Sequence, residues 1–439
     1  MGQINRRTFL KNCGAGVGVA LASTVMMNST INALALSPTE QLSIFHGITE
    51  EELRKLIEIA MSKGGEFSDF YFEYTISNSV AMEEDILKSS SESISIGVGV
   101  RVLKGEQTGY AYTNDLTFDS IKTVALTAAA IADGKSKFKI ANFKKKNVTK
   151  QFYDLSNPLA KLELESKIKL VTSAYNSAKN YDSRIIKCSS SLADELQHVL
   201  IANSEGLLVS DIRPQARLVA VATALQNGKR GQGFYSGGGR IGADFYKSEI
   251  TPEIIGKNAG EEAIILLDAE SAPAGEQVVV LGKDQSGVMI HEAVGHPLEA
   301  DSNWKKQSIM ADKMGQMVAS PLITIYDDAT IPNYRGTLGI DDEGVTTRNV
   351  MLIENGKLVG YLNDRLSAKM LKVEPNGHGR RESYEYPPIP RMNNTVLGKG
   401  NSTVDEVISS VKKGFYAKSY HGGQVENSGK FTFSVNLGY

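Results

Sequence analysis

Two histidines and a glutamate crowd into six positions of this sequence, in the run His291-Glu292-Ala293-Val294-Gly295-His296-Pro297. These are the residue types of a zinc hydrolase site. Neutral imidazoles hold the ion, one coordination position stays open, and a carboxylate takes the proton of a water whose pKa the metal lowers toward about 7. In the usual His-Glu-x-x-His spacing both imidazoles lie on one helical face, about 40° apart. Here the second histidine comes one residue later, and on a regular helix the pair would diverge by about 140°. A shared site therefore requires the helix to distort or end between them. Gly295 tolerates unusual backbone angles, and Pro297 disfavours the α conformation at His296. The expectation is a helix that ends at Gly295–His296, with His296 turned back toward His291. Spacing alone also suits one core and one surface histidine.

The chain of 439 residues has room for two or three domains at roughly 150 residues each. With 41% hydrophobic and 22% charged residues it reads as globular, not disordered or fibrous. A formal charge of −2 supplies no basic field for nucleic acid. Cys13 and Cys188 are the only cysteines, too few for a disulfide framework or a four-cysteine zinc site.

The patterning predicts an α+β chain. Thr49 and Glu52 form a capping box before a helix whose apolar face is Leu53, Leu56, Ile57, Ala60 and Met61. Strand-like runs follow at 70–74, 93–102 and 108–112, then a helix near 120–132. Residues 135–157 read as a linker, with Lys144-Lys145-Lys146 as a solvated basic run. A helix at 162–178 precedes strands at 184–191, 198–202, 207–212 and 216–225, with Asn203-Ser204-Glu205-Gly206 as a hairpin turn. Glycine-rich 232–239 reads as a mobile loop, and 252–267 as a helix. The last region is mostly strands, including 276–281, 322–326 and 350–354, the last running into an Asn355-Gly356 hairpin signal. The expected domains are 36–150 (N-terminal helix and sheet), 151–267 (middle α+β) and 268–439 (β-rich, carrying the short metal-binding helix).

Residues 1–35 read as an export signal. Asn5-Arg6-Arg7-Thr8-Phe9-Leu10-Lys11 is followed by an apolar stretch and a small-residue cleavage site at Ala33-Leu34-Ala35. The paired arginines resemble a twin-arginine signal, so the mature protein is expected in the periplasm. Gly14-Ala15-Gly16-Val17-Gly18 lies within this signal and follows no strand, which rules out a dinucleotide loop. No later stretch reaches the roughly 18 apolar residues of a membrane span.

From His291 onward the sequence resembles the TldD/PmbA family. The resemblance rests on His291 through Glu299, Val318-Ala319-Ser320-Pro321-Leu322, Tyr334-Arg335-Gly336 and Ile340-Asp341-Asp342-Glu343-Gly344. It continues in Ile353 through Gly356, Gly377-His378-Gly379-Arg380-Arg381-Glu382-Ser383-Tyr384, Pro390 through Thr395, and Gly422-Gly423-Gln424-Val425 with Gly429-Lys430-Phe431. Gly97 through Arg101 and Gly109 through Tyr112 match in the first domain. The resemblance implies a Zn2+-dependent peptidase for small or unfolded peptides, acting as a homodimer or as a heterodimer with a partner subunit. His291 and His296 would be zinc ligands and Glu292 the general base. A rival implication is a non-catalytic, metal-free subunit of such a dimer.

The family's third ligand is a cysteine beyond the Gly-Lys-Phe segment, which this sequence does not reach. The expectation is a truncated chain, with Glu299, His378 and His421 as substitute ligands to examine. Arg380 and Arg381 are candidates to hold a peptide carboxylate or backbone. Asp327-Asp328 and Asp341-Asp342-Glu343 lack calcium-loop spacing and read as turn surfaces.

Overall fold

The computed structural model describes residues 38, 42–45, 47–132, 134, 141–148, 152–283, 286–426 and 428–439, the side chains of Asn147 and His421 excepted. The export signal read at 1–35 lies outside them. Helix α1 (Glu50–Met61) begins at the expected capping box: the Thr49 side chain accepts from the Glu52 N–H, and the Glu52 side chain accepts from the Thr49 N–H. All five residues of its apolar face are buried.

A seven-stranded sheet dominates the first half. Its strands are β1 (Phe67–Glu83), β2 (Ile86–Lys104), β3 (Gln107–Thr113), β4 (Lys144–Asn147), β5 (Ile185–Asn203), β6 (Leu207–Gln226) and β7 (Lys229–Gly239). The hydrogen-bonded order is β3-β2-β1-β5-β6-β4, with β7 also on β6. Sequence reading divided 184–202 and 207–225 into four strands, but each pair is one long strand. The polar segments between them, such as Ala193-Asp194-Glu195, keep the ladder because each pairs on both sides. The lysine run read as solvated is likewise a strand, β4, parallel to β6.

The glycine-rich run is not a loop. It is β7, and its glycines make room for a helix. A Cβ on Gly231 would lie 2.1 Å from Ala263 O, and one on Gly233 would lie 2.0 Å from Ala259 O. Absent side chains thus let helix α4 (Pro252–Ile265) pack directly on the strand. With α3 (Leu164–Lys179), α4 covers the β5–β6–β7 end of one sheet face, while α1 and α2 (Phe118–Ala129) cover the β1–β2–β3 end. Fully burying each Leu, Ile or Phe of these cores contributes roughly 1.5–3 kcal/mol.

The opposite sheet face carries Tyr71, Val199, Ile201 and Val209, which pack against Ile340 and Tyr384 of the last region. That region contains β8 (Val279–Leu281), β9 (Ile325–Asp328), β10 (Asn349–Glu354), β11 (Lys357–Leu358), β12 (Gly379–Arg380), β13 (Ile389–Pro390), β14 (Thr395–Leu397), β15 (Phe415–Val425) and β16 (Phe431–Gly438). The expected Asn355-Gly356 hairpin joins β10 to β11, both residues having positive φ.

The acidic pairs read as surface turns are in fact core. Asp327, Asp341, Asp342 and Glu343 are all buried. Arg101 bridges Asp69 of β1 and Glu343, Arg381 pairs with Asp69 at 3.0 Å, and Arg213 joins Asp211 of β6 to Asp342. This network rivets the sheet to the last region, since buried charges persist only when partnered.

Asp364 caps a short helix, α6 (Arg365–Leu371), at the edge of this network. Burial first, then the Glu343 charge, pushes its carboxyl up to about 7. Its unfolded value is about 3.9, so the native state holds a proton that the unfolded state releases between those values. Native stability therefore falls as pH rises from about 4 to about 7. Asp364→Asn keeps a capping oxygen and removes the titration. Its melting temperature should fall less steeply than the parent's between pH 5 and 7.5, and parallel curves would refute the assignment.

Candidate metal centre

Helix α5 (Gly287–Ile290) leads into the motif, and the helical path does not end at Gly295–His296 as the sequence suggested. It widens into a π turn over His291–Gly295 and tightens into a 3-10 turn over His296–Leu298. The His296 N–H donates to His291 O, the five-residue bond that defines a π turn. That bond sets residue 296 above residue 291 and cancels the divergence computed for a regular helix. His296 itself stays helical (φ −58°, ψ −45°) despite the following proline. Pro297 has no N–H to place, so it suits the start of the next turn, just after His296.

The two imidazole rings lie edge to face, 4.6 Å between centroids. One ligand atom from each of His291, Glu292 and His296 falls within 4.8 Å of the others. Glu292 is buried, and His291 is exposed. Partial desolvation, then the neighbouring His296, holds His291 below its ordinary pKa. His296 is held above its own, chiefly by the hydrogen bond to Glu299.

Glu299 Oε1 lies 3.1 Å from His296 Nδ1. A carboxylate only accepts, so Nδ1 carries the proton and Nε2 keeps its lone pair, the arrangement of a metal-binding imidazole with a supporting carboxylate. Arg391 reaches Glu299 at 3.2 and 3.4 Å and fixes it in turn. The carbonyls left free where the helix ends are also satisfied. Asn303 Nδ2 donates to Pro297 O and Glu299 O, both at 2.8 Å, and Ser308 Oγ donates to Pro297 O at 2.6 Å.

Strand β15 passes over the trio. A Cβ on Gly423 would lie 2.7 Å from Glu292 Cγ, and one on Gly295 would lie 1.9 Å from Met392 Sδ. Glu292 and His296 open on a cleft of about 390 Å³, lined also by Glu299, Gly423 and Gln424.

The other candidates lie elsewhere. His378 is fully buried between Asn376 and Asp327, at 2.9 and 3.0 Å, and so is no third ligand. Glu299 supports His296 from the far side of its ring. The His421 side chain lies outside the described residues. Cys188 sits in the core of the middle region, its thiol pushed up to about 11 by burial. Arg381 is embedded in the buried network, bonded to Asp69, Tyr110 and Tyr386 O, while Arg380 reaches Asp342 and Asn393. Sequence reasoning missed the roles of Arg391, Asn303 and Gly423. The first and last stand in motif segments, but only the fold shows what they touch.

The residues present suit zinc: two imidazoles brought together by the π turn, one with its tautomer set by a carboxylate, and the Glu292 carboxylate beside them. Among the described residues no helix is long and apolar enough to cross a membrane.

Comparison with known proteins places these features. The PmbA/TldA metallopeptidase domain 1 matches residues 68–132, the central domain 157–267 and the C-terminal domain 274–439. A metalloprotease TldD homolog from Haemophilus influenzae is 39% identical over 426 residues, 94% of this chain and 86% of that protein. A metalloprotease from Methanocaldococcus jannaschii is 30% identical over 395 residues, 89% of this chain and 85% of that one. A zinc metalloprotease TldD homolog from Saccharolobus solfataricus is 25% identical over 394 residues, 88% of this chain and 84% of that one. The crystal structure of TldE from Thermococcus kodakarensis shares the fold, with a TM-score of 0.70, 18% identity, and coverage of 88% of this chain and 87% of that one. The three domain matches follow one another along the chain, and with them a π-turned pair of histidines beside a buried glutamate: this protein belongs to the TldD/PmbA family of metallopeptidases.

Proposed function

We propose that the chain is a zinc-dependent peptidase that hydrolyses small or unfolded peptides, with His291 and His296 holding the metal and Glu292 acting as general base. The observation that carries this reading is the π turn, a rare helical form that superposes the two imidazoles. A zinc ion held by His291 and His296 would supply Lewis acidity toward the scissile carbonyl and the attacking water. Glu292 stands beside it to take a proton from the attacking water and return it to the leaving amine. Glu299 holds the His296 ring, and Arg391 holds Glu299.

Peptides as substrates, a dimer with a second copy or a family partner, and export to the periplasm by residues 1–35 belong to the same proposal.

The test is bound zinc per chain on purified protein, with His291→Ala as the comparison. About one equivalent in the parent, lost in the variant, supports the site. No zinc in either chain supports the rival reading, a metal-free subunit.

Gly423 gives a second check on geometry. Gly423→Ala adds a methyl only 2.7 Å from Glu292 Cγ, so either β15 or the glutamate must shift. Peptide hydrolysis should fall by about 10²-fold, the scale of a misplacement near 1 Å, with zinc content unchanged. Unchanged turnover would show that Glu292 needs no such placement.

A further inference from the structure

The helix-free face of the large sheet holds a polar cavity that the metal centre does not use. It has a volume of about 460 Å³ and adjoins a smaller one of about 230 Å³ that shares Gln215, Arg217 and Arg335. Ser77 and Ser79 of β1 and Ser91 and Ser93 of β2 floor one end with hydroxyls.

The charges are unbalanced. Arg217 donates only to Ser236 Oγ, and Arg335 is exposed without an ion pair among the described residues. Arg240 follows Gly239, which lines the smaller cavity. It is 4% exposed, its Nε has no partner, and no ion pair holds its guanidinium among the described residues. A buried, unpaired guanidinium is costly unless an anion arrives. Two carboxylates are near. Asp194 is engaged by Lys167 and Asn78. Glu195 makes no ion pair among the described residues, and burial raises its pKa although Arg240 and Arg335 oppose that. With Asp194 paired to Lys167, the guanidiniums of Arg217, Arg335 and the adjoining Arg240 outnumber the Glu195 carboxylate, and the cavity is net positive.

Its shape is fixed from the last region. The Arg240 N–H donates to Asn333 O, and a Cβ on Gly239 would stand 2.1 Å from that oxygen. Past Arg335, the Gly336 N–H donates to Asn394 Oδ1 at 3.0 Å, and a Cβ on Gly336 would stand 2.0 Å from Asn393 O. Backbone contacts on both sides of Arg335 thus hold it at the rim. Tyr334-Arg335-Gly336 is a segment the metal centre leaves unexplained.

We propose that this cavity is a second binding site, for the free carboxylate end of a short peptide, with Arg335 and Arg217 taking the carboxylate, Arg240 supplying charge behind them, and the serine hydroxyls and Gln215 meeting the peptide groups. The volume exceeds what an inorganic anion fills and lies within the small-molecule range. Guanidinium groups pair with carboxylates through charge-assisted, often bidentate bonds. The choice of a peptide over another carboxylate rests on the peptidase reading.

Binding is measured by calorimetry in a His291→Ala background, so that neither hydrolysis nor the metal centre contributes. The probes are trialanine, its C-terminal amide and inorganic phosphate. Trialanine should bind about tenfold tighter than the amide, the scale of one charged hydrogen-bond pair. That preference should vanish in Arg335→Ala and in Arg240→Met. Arg335 is exposed, and methionine replaces an unpaired buried charge with an apolar chain of similar reach, so both variants keep the fold. Equal binding of acid and amide, or a preference untouched by both substitutions, overturns the proposal. Binding of phosphate alone overturns the peptide assignment. Zinc content and hydrolysis are read separately on the parent, so failure of the peptidase reading leaves a different signature.

Discussion

Glu292→Gln is expected to retain zinc and to hydrolyse peptides about 10³-fold more slowly than the parent. The substitution keeps size and burial but removes the carboxylate placed beside the histidines to accept the proton of water. A positioned general base typically contributes 10²–10⁴-fold. His291, His296 and the Glu299–Arg391 support are untouched, so metal content should not change. The measurement is kcat on a short chromogenic peptide beside zinc per chain. Loss of zinc in this variant would make Glu292 a ligand instead of a base. Near-parental turnover with zinc in place would remove it from the chemistry.

Arg213→Ala is expected to destabilise the fold by about 3–5 kcal/mol, read as a lower urea midpoint. The guanidinium is 1% exposed and joins Asp211 to Asp342, and it also donates to Ile340 O at 3.0 Å. Its removal takes from Asp211 its ion-pair partner and leaves Asp342 with the longer contact to Arg380, across the seam between the sheet and the last region. Arg217→Ala, four residues on and exposed, should stay within about 0.5 kcal/mol of the parent. Equal effects from the two would mean that the seam is held by apolar packing around Tyr71 and Ile340, and that the ion pairs add little.

The parts of this fold that were legible in the sequence are those governed by local rules. The Thr49–Glu52 cap, the Asn203–Gly206 turn and the Asn355-Gly356 hairpin are each set by a few neighbouring residues. The errors share a different cause. The glycines of 232–239 have the composition of a loop, and at Gly233 only the helix lying on it shows why it is a glycine. Asp341, Asp342 and Glu343 have the composition of a surface turn, and their arginine partners come from positions 101 and 213, far away in the chain. Helix length and residue type also gave the trio at 291–296 but not its solution. Glycine and proline flanking the second histidine suggested a break, whereas the backbone gained one residue per turn and continued. The broad match of motifs carried the family where spacing alone left two readings open.

β1 pairs with β2 over its whole length and, on its other edge, with β5. The second contact joins segments far apart in the chain, as in the Ser68 N–H bond to Ser204 Oγ, a separation of 136 residues. At a synthesis rate of about 5–20 residues per second, the first hairpin waits on the order of ten seconds before its neighbour exists. During that time a long strand edge stands open to any other chain in reach. The nascent protein therefore passes through a period in which its largest element is half-built, and safe passage depends on what shields that edge until β5 emerges.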